Sequence, residues 1–420
     1  MAKPSEHIIE KLDLIFDGGK LNVLPMLHDF GLEEDLYKKS LTISVTFADA
    51  SDIFNKIDFD GTEQIIVKFK SPGNEFIELT FQVWKDHVTP STDATGSKMI
   101  QVFGVTPEHY VQQKIHINQS FNGSISDFVK VVYGTFGTKS FDCDKTSGRS
   151  ITIIPGMTPF ESMDFLANRS FSGKYPTSWY TFYEGIGDDG TGKYYFKNVE
   201  KLIDENKKSA IKYKYAPSST ADTLLEDRQF IIDQLEVEAN KDVMKKYKSG
   251  MYASQVYQID LIYQKVIPTN FTLDEKGFKE FVHLDDAAMS LDSKKQISET
   301  LGIINTSYWQ TRMSEGILFE NFFGTIIPRR LFYLNSLDQV KAKIMVPGNS
   351  DLRVGKVIDL DMLEQTASTE TREQEHKTSG KYLVTNIMHV CDRKQYKCIV
   401  KMVKESYRAN TRKPDKNFLA

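Results

Sequence analysis

Alternation of apolar and polar side chains governs the first third of the chain. Leu41, Ile43, Val45 and Phe47 alternate with more polar positions, and Ile77, Leu79, Phe81 and Val83 alternate with Glu78, Thr80 and Gln82. Successive strand side chains point to opposite faces, so this period of two predicts strands with one wet face and one dry face. The segments QIIVKFK at 64–70 and KMIQVFGV at 98–105 add two more, and the intervening SPGNE and TPSTDATGS are rich in turn residues. The succession predicts an antiparallel meander or barrel.

The period then changes. Ile125, Phe128, Val129, Val132 and Phe136 fall at helical spacing and line one side of a helix, with Ser124 and Asp127 at a capped start. A second helix is predicted from Thr158, which caps, through Pro159 in the first turn and Glu161, which reaches back to the cap. Met163, Leu166 and Ala167 supply its buried side. Residues 178–199 place two aromatic runs around a Gly- and Asp-rich turn, the pattern of a hairpin. Residues 109–206 therefore read as a separate mixed α/β unit. The segment 216–250 is polar and charge-rich and reads as surface crossings between domains, after which Tyr257, Ile259, Leu261 and Tyr263 resume strand alternation.

In the last third, KAKIMV at 341–346 leads through the turn PGNSD into LRVGKVIDLDM, and KYLVTNIMHV and YKCIVKMV flank the tight connection CDRKQ. Four strands of another closed or nearly closed β-unit are expected. The polar excursion at 363–380 has no bulky residue after Leu363 and reads as a mobile loop between strands.

Length and composition narrow the class. A chain of 420 residues exceeds one ordinary core, so two to four packed domains are expected. Apolar residues make up 40%, and 53 basic against 57 acidic side chains leave a formal charge of -4, which excludes a disordered chain and a dedicated nucleic-acid binder. No apolar run is long enough to span a bilayer, and charges interrupt the opening residues where a signal peptide would be apolar, so folding in a cytoplasm is expected. The 3 cysteines, Cys143, Cys391 and Cys398, form no CxxC pair and are expected to be reduced thiols.

Candidate chemistry fails motif by motif. Gly187, Gly192 and Lys193 satisfy the GxxxxGK part of a phosphate-binding loop, but Tyr194 stands where a small hydroxyl must meet magnesium. Asp188 and Asp189 would repel phosphates, and the following YYFKNV reads as a strand, so the turn is assigned to a hairpin. It also lacks the spaced ligands of a calcium loop. No close histidine pair occurs, and His389 lies among apolar strand neighbours as a packed, hydrogen-bonded residue. There is no GxSxG elbow; Cys143 sits between two aspartates that disfavour a thiolate, and Cys398 reads as a core residue. Carboxylates such as Asp285 and Asp286 are plentiful, which is not evidence for a glycosidase. No catalytic, cofactor-binding or metal-ligating residue is assigned, and no enzymatic activity is expected. Lys404, Arg408, Arg412, Lys413 and Lys416 make the C-terminus locally basic, either as a solvated tail or as a contact for an acidic partner surface.

The C-terminal strand set resembles the closing segment of baseplate hub proteins from contractile-tailed phages of the T-even kind. In that family a Val-Pro-Gly-Asn turn precedes a strand with glycine at its start, matched by Val346, Pro347, Gly348, Asn349 and Gly355. A Ser-Gly, Tyr, Val and His strand follows, matched by Ser379, Gly380, Tyr382, Val384 and His389. The order of the upstream parts agrees. These residues form turns and strands: Gly348 is expected to take a positive φ after Pro347, and Gly380 to end the excursion.

The resemblance implies a mainly β fold with an α+β accessory domain: two tail-tube-like antiparallel β-barrels plus smaller inserted domains. The division it implies is residues 1–108 with 207–237 as the first barrel, 109–206 as the accessory domain and 238–305 with 340–406 as the second barrel. A small helical insertion at 306–339 and a tail at 407–420 complete it. The implied role is a homotrimeric adaptor in the virion, assembled in the bacterial host cytoplasm, between the six-fold tail tube protein and the three-fold central spike protein. Baseplate wedge or inner tube-like proteins are further partners, and genomic DNA passes through the ring without specific recognition. No membrane partner or cofactor is implied. The alternatives are a hub like that of a type VI secretion spike and a tail-associated peptidoglycan hydrolase.

Overall fold

A computed structural model describes residues 6–49, 54, 57, 59–90, 98–215, 225–239, 244, 253–260, 264–272, 279–288, 298–305, 323–337, 339–362 and 378–407. The early alternating segments become β1 (Ile8–Phe16), β2 (Gly19–Asn22), β3 (Leu27–Asp35), β4 (Thr42–Asp49), β5 (Gln64–Lys70), β6 (Ile77–Pro90) and β7 (Lys98–Val105). They pair antiparallel in the order β2-β1-β5-β6-β7-β4-β3. The expected dry faces are dry: Leu41, Ile43, Val45, Phe47, Ile77, Leu79, Phe81 and Val83 are all buried. Each fully buried aliphatic or aromatic side chain contributes roughly 1.5–3 kcal/mol, so the alternation alone fixes which face turns inward. Phe30 of β3 meets Phe69 of β5 edge-on at 5.2 Å. These strands are not neighbours in the sheet, so the sheet curls until its opposite sides touch.

The accessory unit contains α1 (Pro107–Gln113), β8 (Ile117–Gly123), α2 (Ile125–Tyr133), β9 (Ser140–Cys143), β10 (Ser150–Met157), α3 (Pro159–Arg169), β11 (Tyr180–Ile186), β12 (Gly192–Asn198) and α4 (Val199–Asn206). The side chain of Ser124 accepts from the Asp127 amide at the start of α2, and Thr158 and Glu161 form a full capping box on α3. β11 and β12 form the expected hairpin, joined by β9 running parallel to β12, while β8 pairs with β10. A second core fills the space between these ribbons and helices, including Phe128, Val129, Val132, Phe136, Met163, Leu166, Phe182, Tyr194 and Phe196.

The rest comprises β13 (Ile211–Tyr215), β14 (Gln234–Ala239), β15 (Ala253–Asp260), β16 (Lys265–Thr272), β17 (Ala287–Ala288), β18 (Ser298–Asn305), α5 (Phe323–Leu337), β19 (Val340–Pro347), β20 (Val357–Met362), β21 (Gly380–Asp392), β22 (Tyr396–Lys404) and β23 (Ser406–Tyr407). The expected C-terminal strands form, in the order β14-β19-β22-β21, with β20 beside β21 and β13 parallel to β20. β21 then pairs antiparallel with β3, from Asn386↔Asp35 to Asp392↔Asp29. The two expected β-units are thus joined, and among the described residues 13 strands form one sheet. Strands β16-β15-β18 form a separate small sheet, and β17 pairs with β23.

Of the strands that begin within 207–237, β13 pairs with β20 and β14, which runs on to Ala239, pairs with β19. The polarity of this region hid β14. It is paired only on its β19 side among the described residues, so Gln234, Glu236 and Glu238 face water while Leu235 is half-buried. Of the excursion, 363–377 lies outside the described residues, as do 306–322 of the helical insertion and the tail from Arg408 onward. No described helix is long and apolar enough to cross a membrane.

Candidate functional site

The most heavily built polar region is a junction where the first β-unit, the accessory unit and the C-terminal strands meet. Its anchor on β3 is Glu34, which follows Phe30 and Leu32 at the inward parity of the strand and is buried with them. Glu34 Oε1 accepts from the Ile186 amide of β11 at 3.0 Å, and Oε2 accepts from the Val354 amide at 3.4 Å. Burial pushes its carboxyl up to about 7, against the field of Arg353 and the two amide bonds.

A second carboxylate reaches in the opposite direction. Glu184, in the fully buried strand β11, accepts from the Leu41 amide at 3.0 Å and from Thr106 Oγ1 at 2.6 Å. Lys139 bridges it to Glu108, with Nζ at 2.6 Å from Glu184 and 2.8 Å from Glu108. Burial raises the Glu184 carboxyl, with Lys139 pulling the other way; burial opposes the lysine charge too, but the two carboxylates prevail and raise its pKa. Leaving any member unpaired here would cost several kcal/mol, roughly 3–5 for a broken buried pair.

The same device recurs nearby. Glu200 of α4 accepts from the amides of Thr177 and Val282, and Glu405 accepts from the Leu284 amide at 2.6 Å. Arg330 of α5 donates to the carbonyl oxygens of Ser178 and Asn168 in the accessory unit. Buried charges are thus used where segments distant in sequence meet, each satisfied by backbone groups of another element.

The residues of the sequence motif fall into two places. Val346 and Pro347 end β19, and the turn after them packs against the first β-unit: Ser350 Oγ lies 2.9 Å from Ser71 Oγ, and Asn349 Oδ1 accepts from Asn74 at 3.1 Å. Gly355 has φ 79° and exchanges backbone bonds with the Val384 region, while its carbonyl accepts from Asn206 of α4. Gly348 does not take the positive φ expected of it. A Cβ there would lie 2.1 Å from the Tyr396 ring, so close approach, not backbone handedness, requires glycine. His389 is fully buried with Nδ1 2.7 Å from Tyr396 Oη, and burial with the Arg353 charge holds its imidazole down to about 3.

Ser379, Gly380 and Tyr382 lie apart from that turn, at the start of β21. Ser379 Oγ bonds both backbone groups of Met362, and Tyr382 Oη donates to the Thr378 carbonyl. Gly380 has φ 134°. Lys404, read from sequence as part of an exposed basic tail, is fully buried: its ammonium donates to the Ser379 carbonyl at 2.9 Å and lies 4.9 Å from the Tyr382 ring centre. A lysine at the inward end of β22 finds carbonyls and aromatic faces in place of water.

The expected hairpin turn docks by its backbone. The Gly190 carbonyl accepts from the Glu78 amide, and a Cβ on Gly190 would lie 1.9 Å from the Phe76 carbonyl oxygen. Asp189 is spent on Thr191, within the turn. Cys143 is half-buried, its thiol pushed up to about 12 by burial. Among the described residues no three metal-capable side chains converge. The sequence reading missed Glu34, Glu108, Lys139, Glu184, Glu200 and Arg353. Its available signal was an acid at apolar parity after Phe30 and Leu32, and another inside the aromatic run YTFYEGI.

Fold and junction together define a mainly β, multi-unit protein whose buried polar groups join its units. No protein-family model and no curated protein matches the chain. Among solved structures, it is similar to a tail protein of prophage MuSo2 from Shewanella oneidensis, at 12% identity over 94% of this chain and 98% of that one, with a TM-score of 0.55. It is likewise similar to a tail protein from Neisseria meningitidis MC58, at 8% identity over 94% and 96% of the two chains, with a TM-score of 0.53. The resemblance to phage hub proteins read from the residues therefore extends to a shared tail-protein fold.

Proposed function

We propose that this chain is a structural baseplate hub of a contractile phage tail, a homotrimeric adaptor joining a six-fold tail tube to a three-fold central spike. The observation that carries this reading is the match of fold over nearly the whole length of two tail proteins, one of them from a prophage. A second observation agrees: among the described residues, β2 and β14 end the large sheet and each pairs on one side only. Such edges offer backbone groups to a neighbouring subunit. On this reading the division into two tube-like barrels and an accessory domain carries the quasi-symmetry, three chains presenting six similar units.

The adaptor works by surface and not by catalysis, as a component of the virion. Multi-angle light scattering of the purified chain, alone and with its spike, tests it. A trimer in either sample supports the adaptor; monomer in both overturns it. Release of soluble fragments from purified peptidoglycan would replace it with the hydrolase reading.

A further inference from the structure

The two β-units repeat one strand plan. β3-β4-β7-β6 and β14-β19-β22-β21 are both antiparallel, and both place the last strand in sequence third in space. The match extends to an irregularity: Trp84 of β6 drops out of register with β7, and Thr385 of β21 drops out of register with β22. Before that residue, β6 pairs on its other side with β5, and β21 with β20. Beyond it the units differ. Residues 386–392 of β21 pair with β3, whereas residues 85–90 of β6 have no strand on that side among the described residues.

Aligning the two bulges carries the first unit onto the second. Lys85 falls on Asn386 and, through successive cross-strand partners, Phe103 on Lys401, Ser44 on Lys343 and Gly31 on Glu236. Val88 then corresponds to His389, and Val237 to Leu32. His389 and Leu32 lie opposite each other where β21 meets β3, and both are fully buried. Val88 and Val237 are 45% and 36% exposed, although each has a buried cross-strand neighbour, Ile100 and Ala342. Both therefore stand at inward parity on strand edges, where a further strand would cover them.

We propose that residues 85–90 of β6 pair antiparallel with β14 of a second copy of this chain, with Val88 opposite Val237, repeating between chains the junction that β21 and β3 make within one. The same alignment sets His87 opposite Glu238 and Thr89 opposite Glu236. The contact is head-to-tail, because it joins two different edges, so its repetition either closes a ring or runs on as a filament. Closure at three copies rests on the hub reading; the strand junction rests on the internal repeat.

Oxidation of the full chain carrying both Val88→Cys and Val237→Cys tests it, since directly opposite side chains have Cβ atoms about 4.5–5.5 Å apart. Chains linked through positions 88 and 237 are expected on a non-reducing gel and in peptide mass spectra, with none from either single variant. Val237→Cys combined with Lys20→Cys on β2, the other end of the sheet, stays unlinked. Both valines are exposed in the single chain, so these changes spare its core. In a second measurement, Val88→Glu weakens association about tenfold and Val237→Lys in the same chain restores it. A trimer that forms no 88–237 link overturns the junction and leaves the hub reading standing. A link in assemblies of another size keeps the junction and overturns the three-fold hub. A link through position 20, unchanged association in V88E, or monomer under all conditions overturns the junction.

Discussion

Glu34 and Glu184 tie β11 to the first β-unit with one carboxylate from each side: Glu34 of β3 accepts the Ile186 amide of β11, and Glu184 of β11 accepts the amide of Leu41, which immediately precedes β4, each at 3.0 Å. The exchange is reciprocal, so the accessory unit is registered on the first β-unit by two carboxylates and not by apolar contact alone.

Glu184→Ala should therefore be among the most damaging single changes in the molecule. It orphans the Leu41 amide and Thr106 Oγ1 and leaves Lys139 with Glu108 alone. A loss of about 3–5 kcal/mol is expected from urea denaturation, against about 1 kcal/mol for the cap deletion Thr158→Ala on α3.

The acid limb of stability should be set in part by His389. Its folded pKa of about 3 lies below the ordinary histidine value of 6.5, so between these values the unfolded chain binds the extra proton. Stability from this group is then present above the unfolded pKa and lost as pH falls, by up to about 4–5 kcal/mol. Glu34 acts with the opposite sign: raised from 4.5 to about 7, it holds its proton in the folded state, and its contribution fades as pH rises through that window. In melts from pH 4 to 6, His389→Leu should flatten the rise of stability with pH.

Gly73 and Gly190 separate backbone strain from contact. Both have positive φ, 86° and 76°, but a Cβ at Gly73 meets nothing within 4 Å while one at Gly190 meets the Phe76 carbonyl at 1.9 Å. Gly73→Ala should cost about 1 kcal/mol and Gly190→Ala about 1–3 kcal/mol more, read as a difference in denaturation midpoints. Equal midpoints would show that the hairpin turn is not docked on the first unit.

Thiol chemistry should be sluggish in the native state. Burial pushes Cys143 up to about 12 and Cys398 up to about 11, and raises Cys391 as well. The thiolate of Cys143 is then about one part in ten thousand at pH 8. Ellman's reagent should react quickly with all three only after denaturant is added, and a fast native phase would contradict the packing described.

What the sequence determined by itself is local. A period of two placed Leu41 to Phe47 and Ile77 to Val83 face inward, helical spacing placed Phe128, Val129 and Val132 on one side of α2, and the Ser124 and Thr158 caps formed as their spacing required. These follow from neighbours along the chain, where a few residues fix the outcome. Tertiary structure decided the pairing of β3 with β21, the docking of β13 and β14 on C-terminal strands, the burial of Lys404 and the requirement for glycine at 348. It also decided that Glu34 and Glu184 would meet backbone amides and not water. Periodicity states which face of a strand is dry, but not which other strand, amide or ring will cover it, because that partner lies tens or hundreds of residues away.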